Sequence, residues 1–269
     1  MAELDYAVVN EYWSRAKPDV LAPYMMDGFG FPSTAGRFRF RAESQIVRRL
    51  ISDLSARGTV LDLGSGTGCW AEFFAHDFSK VVAVEASMPL FEALKERCRS
   101  YPHVRSVHGS VMSFEPEGPY SLIFLGGLLM YLNTREVTVL LRRLVPFLAE
   151  GGMILCRETT VRTGPVTRMG AYQAVYRSVA TYSQTFEQCG LLTSHVELNV
   201  PYVLLQMGCE SIRKWKAIVP SPVQMTSTVG RLVYWGLRCT NPWVVRIPQA
   251  VGVPFPELLN HFFVLRTAD

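Results

Sequence analysis

The sequence predicts an α/β protein built on a mostly parallel sheet with helices on both faces. Between residues 58 and 200, short apolar runs alternate with stretches whose apolar residues have helical spacing. Such alternation is typical of strand–helix–strand units, whose strands lie parallel. A glycine-rich turn at residues 64–68 follows the first apolar run and precedes a helical stretch. Because ligands of such sheets bind beyond the C-terminal ends of the strands, this turn is the first candidate for a binding site.

The composition is that of a folded globular chain. Of the 269 residues, 49% are apolar and 19% are charged, which is enough apolar side chain to fill a core. The net charge of +4 is small and does not by itself indicate a nucleic-acid partner. The six cysteines form no C-x-x-C pair, so the sequence predicts no metal or redox motif, and reduced thiols are expected.

The first residues and the apolar runs favour an intracellular protein. Met1–Asp5 is acidic where a signal peptide would be basic. The longest apolar stretch, at 122–132, has eleven residues and is too short to span a bilayer. We therefore expect a cytoplasmic protein with no membrane span, present as a monomer or a homodimer.

The strands and helices can be placed in order along the chain. The expected strands are Thr59–Leu63, Val81–Val84, Val104–His108, Leu122–Leu125, Met153–Cys156, His195–Val200 and His261–Leu265. The helical patterns between them are Cys69–His76, Pro89–Arg99, Thr134–Leu148 and Ala171–Cys189.

The segments around this alternation divide the chain further. Residues 1–57 are expected to be helical, with a break at a loop that contains glycine and proline. Residues 201–258 interrupt the strand–helix rhythm with several prolines, three tryptophans and an excess of basic residues. We therefore predict an N-terminal helical lid at 1–57, a core at 58–200, a helical insertion or cap at 201–258 and a final core strand at 259–269.

The glycine-rich turn and the end of the second strand together favour a nucleotide site. Gly64, Gly66 and Gly68 permit a tight turn and let a ligand lie against the backbone. Asp62, inside the preceding strand, can hold the amides of the turn or accept from a cationic group of a ligand. Glu85 ends the second strand, seventeen residues after Gly68, and can accept hydrogen bonds from a ribose diol. A surface glutamate is the alternative for Glu85 taken alone.

These residues resemble a known family. Val60–Gly68 followed by Glu85 is similar to the first two motifs of class I S-adenosylmethionine-dependent methyltransferases. His108–Val111 resembles the third-strand segment that brackets the adenine, and Tyr120–Gly126 and Leu148–Met153 resemble the fourth strand and the turn before the fifth. The resemblance implies an enzyme with a Rossmann-like, seven-stranded sheet whose last strand is reversed. It also implies S-adenosyl-L-methionine as methyl donor and S-adenosyl-L-homocysteine as product.

The resemblance assigns donor-binding residues by position. Those carried over from the motifs are Asp62, Gly64, Ser65, Gly66, Gly68, Glu85, Ala86, Ser110, Val111 and Gly126. The N-terminal segment is faintly similar to the leading helices of protein N-terminal α-amine methyltransferases, through Tyr12-Trp13. Tyr12 and Trp13 are therefore expected to contact the donor as well. Ordinary packing of a terminal helix is the alternative for this pair.

Residues outside the donor motifs are the candidates for chemistry. Glu158, at the end of the fifth strand, is the first candidate for a general base or for holding a cationic amine. A partner for Arg157 or Arg177 is an equally weighted alternative for Glu158. Tyr131 and Tyr172 are the other expected catalytic residues, and a core aromatic is the alternative for Tyr131.

The acceptor pocket is expected to draw on several segments. Tyr172, Tyr176 and Arg177 are predicted on one face of a helix that lines the cleft, unless that face packs on the sheet. The expected acceptor-binding residues are Tyr24, Arg41, Tyr176, Arg177 and Trp215.

The function that the sequence favours is methylation of a small-molecule acceptor, such as a specialised metabolite, on oxygen, nitrogen or carbon. Leu125–Tyr131 lacks the Asn/Asp-Pro-Pro-Tyr sequence of methyltransferases that act on nucleobase or glutamine amides, so no nucleic-acid partner is expected. Two alternatives remain open. One is a methyltransferase for a lipid-linked glycan or a peptide amine, and the other is a non-catalytic protein that binds S-adenosylmethionine.

Overall fold

The computed structural model describes residues 2–18, 29–221 and 224–267. The chain divides into two compact units. The first consists of Met1–Pro18, Leu50–Glu197 and His261–Asp269, and the second of Asp19–Arg49 and Leu198–Asn260.

The sheet contains nine strands within the described part of the chain. They are β1 Thr59–Leu63, β2 Lys80–Glu85, β3 Val104–His108, β4 Tyr120–Leu125, β5 Leu148–Val161, β6 Pro165–Arg168, β7 Ala174–Ser178, β8 Leu191–Leu198 and β9 Leu259–Thr267. The strand order is β3-β2-β1-β4-β5-β7-β6, and β9 pairs with both β5 and β8.

The central strands are parallel. β1 lies between β2 and β4, with β3 beyond β2 and β5 beyond β4, and all four pairings are parallel. Every residue of β4 is buried, as expected for a strand covered on both faces. The predicted α/β class with a mostly parallel sheet is confirmed.

The last strand, β9, runs antiparallel to β5. Thr160, near the end of β5, shares a hydrogen bond of 2.8 Å with His261, near the start of β9. Arg266, near the end of β9, donates over 2.8 Å to the carbonyl oxygen of Gly151, near the start of β5. Contacts that join opposite ends of two strands require antiparallel pairing. The reversed last strand that the resemblance implies is therefore present.

The helices divide between the two units. Those of the first unit are α1 Tyr6–Ser14, α3 Cys69–Ala75, α4 Met88–Cys98, α5 Thr134–Leu144 and α6 Val179–Glu187. Those of the second unit are α2 Thr34–Leu50, which ends at the boundary, α7 Val200–Ile218, α8 Thr226–Thr240 and α9 Trp243–Ala250. Short 3₁₀ helices occur at Leu129–Tyr131 and Val145–Phe147.

A β-hairpin replaces the first part of the helix predicted over 171–189, so that prediction is wrong there. β6 and β7 pair in antiparallel fashion, and β7 also pairs with the end of β5 through Thr160 opposite Arg177. α6 begins only after Ser178, whose side chain accepts from the amide of Thr181 as an N-cap. Tyr176 and Arg177 therefore lie on a strand, and Tyr172 lies just before it.

Helix α1 belongs to the first unit. Leu4 and Val9 are buried in a small cluster with Val175 of β7. The amide of Leu4 donates to the side-chain oxygen of Asn133 over 2.8 Å, and the amide of Asn133 donates to the hydroxyl of Tyr6 over 3.0 Å. These contacts fasten the N-terminal residues to the segment that follows β4.

Helix α2 belongs to the second unit, so residues 1–57 do not form one unit as the sequence suggested. Ala35 is buried in a cluster with Leu205 and Tyr234. Glu43 is fully buried and accepts hydrogen bonds from Arg39 at 2.8 Å and from Asn199 at 2.7 Å. The boundaries differ because each helix buries its apolar side against a different part of the chain. The proposed roles as lid and cap stay predictions.

Two further features bear on function. No described helix is long and apolar enough to cross a membrane. All six cysteines lie within the described residues and carry free thiols.

Candidate active site

The glycine-rich turn joins β1 to α3 at the C-terminal end of the sheet. Gly64, Gly66 and Gly68 have φ values of 71°, 56° and 79°, a left-handed region that favours glycine. The amides of Gly64 and Ser65 both donate to the carbonyl oxygen of Val84, over 2.9 and 3.0 Å. A Cβ added at Gly66 would meet nothing within 4 Å. The turn is therefore fixed beside β2 and remains open at Gly66.

Glu85 joins the turn to the end of β2. Its Oε2 accepts from the amide of Gly66 and its Oε1 accepts from the amide of Ser87, both over 2.8 Å. Burial raises the pKa of the Glu85 carboxyl, although these hydrogen bonds act in the opposite direction. Each carboxylate oxygen has a second lone pair. Glu85 can therefore accept two further hydrogen bonds, as a ribose diol requires.

Asp62, in β1 just before the same turn, has a buried carboxylate oxygen with no hydrogen-bond partner among the described residues. Its side chain is 1% exposed, and Oδ2 has no hydrogen-bond partner among the described residues. Burial raises the pKa of Asp62 to about 7, with the nearby Glu85 carboxylate acting in the same direction. The hydroxyl of Ser65 donates to the backbone carbonyl of Asp62 over 2.8 Å. An unpaired buried acceptor is unfavourable, so a cationic donor group would satisfy it.

Four aromatic side chains that the sequence indicates meet in the first unit. We call Tyr12, Trp13, Tyr131 and Tyr172 the aromatic cluster. The hydroxyls of Tyr131 and Tyr172 are 3.0 Å apart. The ring of Tyr12 meets that of Tyr172 edge to face at 5.1 Å, and Trp13 meets Tyr131 in the same way at 5.2 Å. Burial raises the pKa values of Tyr131 and Tyr172, so both hydroxyls stay protonated near neutral pH.

The residue that ties the aromatic cluster to Glu85 is Ser87, which sequence reasoning missed. Its hydroxyl donates to the carbonyl oxygen of Trp13 over 2.8 Å, while its amide holds Glu85. Ser87 is the N-cap residue of α4, but its side chain makes no cap hydrogen bond. The proline at position 89 signals this helix start from sequence, whereas the contact with residue 13 has no local signal.

Glu158 is held against the backbone of the 3₁₀ helix that carries Tyr131. Its side chain is 0% exposed, and Oε1 accepts from the amides of Leu128 and Leu129, each over 3.0 Å. Its other oxygen, Oε2, is buried and has no hydrogen-bond partner in the described part of the chain. Burial raises the pKa of Glu158 to about 7. The carboxyl thus fixes the start of the helical turn and keeps one acceptor free.

Arg177 has different surroundings from those that the sequence predicts. It lies on β7, is fully buried, and donates from Nη1 to the carbonyl of Leu129 over 2.9 Å. Its Nη2 donates to the carbonyl of Leu132 over 2.7 Å. The prediction of a helical position is therefore wrong, and a contact of Arg177 with the acceptor stays a prediction. The guanidinium instead holds the backbone around Tyr131.

The other predicted donor residues lie at the ends of their strands. Ala86 and Ser110 are exposed after β2 and β3, and Val111 is buried. Gly126 follows β4, and its carbonyl accepts from Arg157 over 2.8 Å. These positions match the order that the resemblance implies.

The remaining predicted acceptor residues are divided between the two units. Tyr176 is buried on β7 in the first unit. Arg41 is exposed on α2 and Trp215 is half-buried on α7, both in the second unit. Tyr24 lies outside the described residues.

The comparisons with known proteins give a consistent class. Residues 60–152 match the family described as a methyltransferase domain. Phosphoethanolamine N-methyltransferase 1 of Arabidopsis thaliana is 28% identical over 157 residues, which cover 57% of this chain and 31% of that protein. Over the first curated relatives, the match spans 31% to 38% of their length.

Two solved structures share the fold. A SAM-dependent methyltransferase of Leishmania major is 15% identical with a TM-score of 0.65, covering 97% of this chain and 82% of that one. The second is the 1,6-didemethyltoxoflavin-N1-methyltransferase of Burkholderia thailandensis, with bound 1,6-didemethyltoxoflavin and S-adenosylhomocysteine. It is 14% identical with a TM-score of 0.64, covering 100% of this chain and 95% of that one.

The fold, the glycine-rich turn and the family match define the class. Residues 60–152 are similar to a methyltransferase domain, and the chain has the Rossmann-like fold of that class. This class uses S-adenosylmethionine as the methyl donor, so the resemblance seen in the sequence is confirmed.

Proposed function

We propose that the protein is an S-adenosylmethionine-dependent methyltransferase that acts on a small-molecule acceptor, at oxygen, nitrogen or carbon. The observation that carries this proposal is the pair of buried carboxyls at the glycine-rich turn. Glu85 is held by the amides of Gly66 and Ser87 and keeps lone pairs free, while Asp62 Oδ2 has no partner.

The residues present fit the donor in chemistry as well as in position. The two oxygens of Glu85 suit the ribose hydroxyls, and Asp62 suits the cationic α-amino group of the methionine part. The open backbone at Gly66 lets a ligand approach without meeting a side chain. When bound, S-adenosylmethionine supplies an electrophilic methyl group on a positively charged sulfur.

The aromatic cluster is the proposed place for the acceptor. Methyl transfer depends chiefly on alignment of the acceptor atom, and orientation lowers barriers by several kcal/mol. The neutral hydroxyls of Tyr131 and Tyr172 can each hydrogen-bond a polar atom, while the surrounding rings suit an apolar body. Both tyrosines are therefore proposed to orient the acceptor.

Glu158 is the proposed general base for acceptors that carry a proton. A pKa of about 7 suits a base that works near neutral pH. Its unpartnered Oε2 is the atom that would receive the proton. An acceptor whose nucleophilic atom already has a free lone pair needs no base. For such an acceptor, the proposed role of Glu158 is only to hold the helical turn in position.

The small-molecule class draws its support from the names of two similar proteins. The Burkholderia thailandensis structure contains 1,6-didemethyltoxoflavin, and the Arabidopsis thaliana relative is named for phosphoethanolamine. Acceptors with an aromatic ring or a primary amine are therefore the first to test. A lipid-linked or peptide acceptor is the competing proposal, and a cytoplasmic location stays a prediction.

The first experiment is calorimetric titration with S-adenosylmethionine, S-adenosylhomocysteine and, as a control, NAD. We expect micromolar binding of the first two and none of NAD. A folded protein that binds neither sulfur compound would contradict the proposal.

The acceptor is then sought with donor labelled on the methyl group. Phosphoethanolamine, phenols, heteroaromatic amines, a lipid extract and a peptide with a free α-amine are offered separately. Label in the water-soluble small molecules supports the proposed class, whereas label only in lipid or peptide favours the competing one. Donor binding without transfer to any acceptor would favour the non-catalytic alternative.

A further inference from the structure

Helices α8 and α9 of the second unit carry large apolar side chains on their outer sides. On α8, Leu232 is 69% exposed and Trp235 is 55% exposed. On α9, Trp243 is 67% and Ile247 55% exposed, and Val251, the residue after the helix, is 66% exposed. We call these five the exposed apolar set. Large apolar side chains that recur on neighbouring helices mark an interaction surface more often than isolated ones do.

The spacing separates the exposed set from the inner side of α8. Tyr234 is 2% exposed and packs in a cluster with Leu205, and Leu237 packs against a second cluster of the same unit. With 3.6 residues per turn, Leu232 and Trp235 project on the side opposite to these two residues. α8 is therefore apolar on two sides, and the described residues of the unit cover one of them.

α9 repeats this arrangement. Val245 is 1% exposed and belongs to a buried cluster of the unit. Trp243 and Ile247 are four residues apart, which places both on the opposite side of the helix, and Val251 follows the helix directly.

The stretch of sequence that carries the exposed apolar set holds charges of one sign. Arg231 and Arg246 are exposed beside it, one on each helix. The sequence from 211 to 256 contains no aspartate or glutamate. Its six basic residues are Arg213, Lys214, Lys216, Arg231, Arg238 and Arg246. The complementary partner is therefore anionic and accepts apolar side chains.

An anionic lipid surface meets both requirements. Tryptophans favour the level of the headgroups, and arginines beside them bind anionic headgroups. A nucleic acid would satisfy the arginines but offers little to the exposed leucine, isoleucine and valine. A second copy of this chain, joined through the same surface, would set basic side chains against basic side chains.

We propose that α8 and α9 dock on the surface of an anionic bilayer through the exposed apolar set, with Arg231 and Arg246 on the headgroups. Docking of this kind is independent of the acceptor and of methyl transfer. It can be tested on the purified full-length protein.

The test is flotation with vesicles of phosphatidylcholine alone and of phosphatidylcholine mixed with phosphatidylglycerol. We expect binding to the mixed vesicles that weakens as salt is added. Arg231→Gln with Arg246→Gln should lower the partition coefficient about 25-fold, because each basic residue near an anionic surface contributes about fivefold. Trp235→Ser with Trp243→Ser should abolish flotation.

Matched controls come from the first unit. Leu192 is 54% exposed and Arg99 has a side chain that is 80% exposed, so Leu192→Ser and Arg99→Gln should leave flotation unchanged. All substitutions replace exposed side chains, and thermal unfolding of each variant checks that it is folded.

Three results would overturn the proposal. The first is absence of binding to mixed vesicles at low salt. The second is equal binding to both kinds of vesicle, or equal binding by the tryptophan variant and the original protein. The third is an oligomer that the tryptophan variant converts into a monomer while no vesicle binding is seen, since a second copy would then cover the surface.

Discussion

Glu158 and Arg177 hold opposite ends of one short helical turn. Glu158 Oε1 accepts the amides that begin the turn, at Leu128 and Leu129, and Arg177 donates to the carbonyls of Leu129 and Leu132. A single turn leaves most of its own backbone groups unpaired. The two side chains satisfy these groups and so fix the position of Tyr131 between them.

Loss of Arg177 should destabilise the fold. Arg177→Met removes the guanidinium donors from the buried carbonyl oxygens of Leu129 and Leu132, of which that of Leu129 keeps the Leu132 amide as a donor. We expect the free energy of unfolding to fall by about 3 kcal/mol. Urea denaturation measures the change. Arg99→Met, at a side chain that is 80% exposed, serves as control and should change stability by less than about 0.5 kcal/mol. Equal effects of the two substitutions would contradict the role given to Arg177.

The Glu158→Gln substitution distinguishes a role of Glu158 as general base from a role as positioning residue. The amide oxygen can still accept from Leu128 and Leu129, so the turn should keep its structure. We expect turnover to fall while affinity for the donor is unchanged, and the limb of the pH–rate profile near pH 7 to disappear. Steady-state kinetics and calorimetry provide both readouts. Unchanged turnover with an unchanged profile would leave Glu158 a structural role only.

Glu85→Ala should weaken donor binding. The substitution removes the acceptor for the amides of Gly66 and Ser87, and with it the proposed acceptor for the ribose hydroxyls. We expect a loss of ~1.5–3 kcal/mol in the binding free energy of S-adenosylhomocysteine, measured by calorimetry. Glu92→Ala, on α4 with a side chain that is 58% exposed, is the matched control and should bind as the original protein does. A folded Glu85→Ala protein with full affinity would remove the assignment.

Asp62 should make stability depend on pH. The pKa of its carboxyl is about 7 when folded, against about 3.9 in an unfolded chain. Between these values the folded protein binds more protons than the unfolded one, so stability should fall as pH rises from about 4 to 7. Thermal unfolding across this range measures the slope.

The Asp62→Asn variant tests the origin of that slope. Its amide cannot ionise, so the curve should become flatter, and the slope that remains includes the contributions of Glu158 and Glu85, whose pKa values burial also raises. Asp53→Asn, which removes an exposed carboxyl, is the matched control for the loss of one carboxyl. An Asp62→Asn curve with the original slope would show that Asp62 ionises normally in the folded protein.

Local patterns in the sequence predict the strands well where turns bound them. β1 and β3 have the expected limits, because each is a short apolar run between residues that favour turns. The same reasoning wrongly predicts a helix over the whole of 171–189, because the apolar spacing there fits a helix as well as a strand. Pairing of β7 with β5 decides the outcome, and that pairing depends on residues far apart in sequence.

The candidate site also has one part that the local sequence predicts and another that depends on contacts between distant residues. The glycine-rich turn and Glu85 form a compact motif whose chemistry can be inferred from residue types and spacing. The contact of Glu158 with Leu128 spans 30 residues, and that of Ser87 with Trp13 spans 74. No periodicity in the sequence indicates such contacts. The sequence therefore predicts Tyr12, Trp13, Tyr131 and Tyr172 as separate candidates but does not predict that their side chains meet.

The second unit is made of two stretches of chain, Asp19–Arg49 and Leu198–Asn260. Ala35 of the first stretch is 0% exposed because Leu205 and Tyr234 of the second lie against it. Deletion of the longer stretch alone would therefore expose the side of α2 that is buried in the unit. Recombination at a single point between related genes cannot exchange the whole unit either, because its two stretches lie far apart in sequence. Any partner preference that the unit confers therefore has to be inherited, or redesigned, through both stretches together.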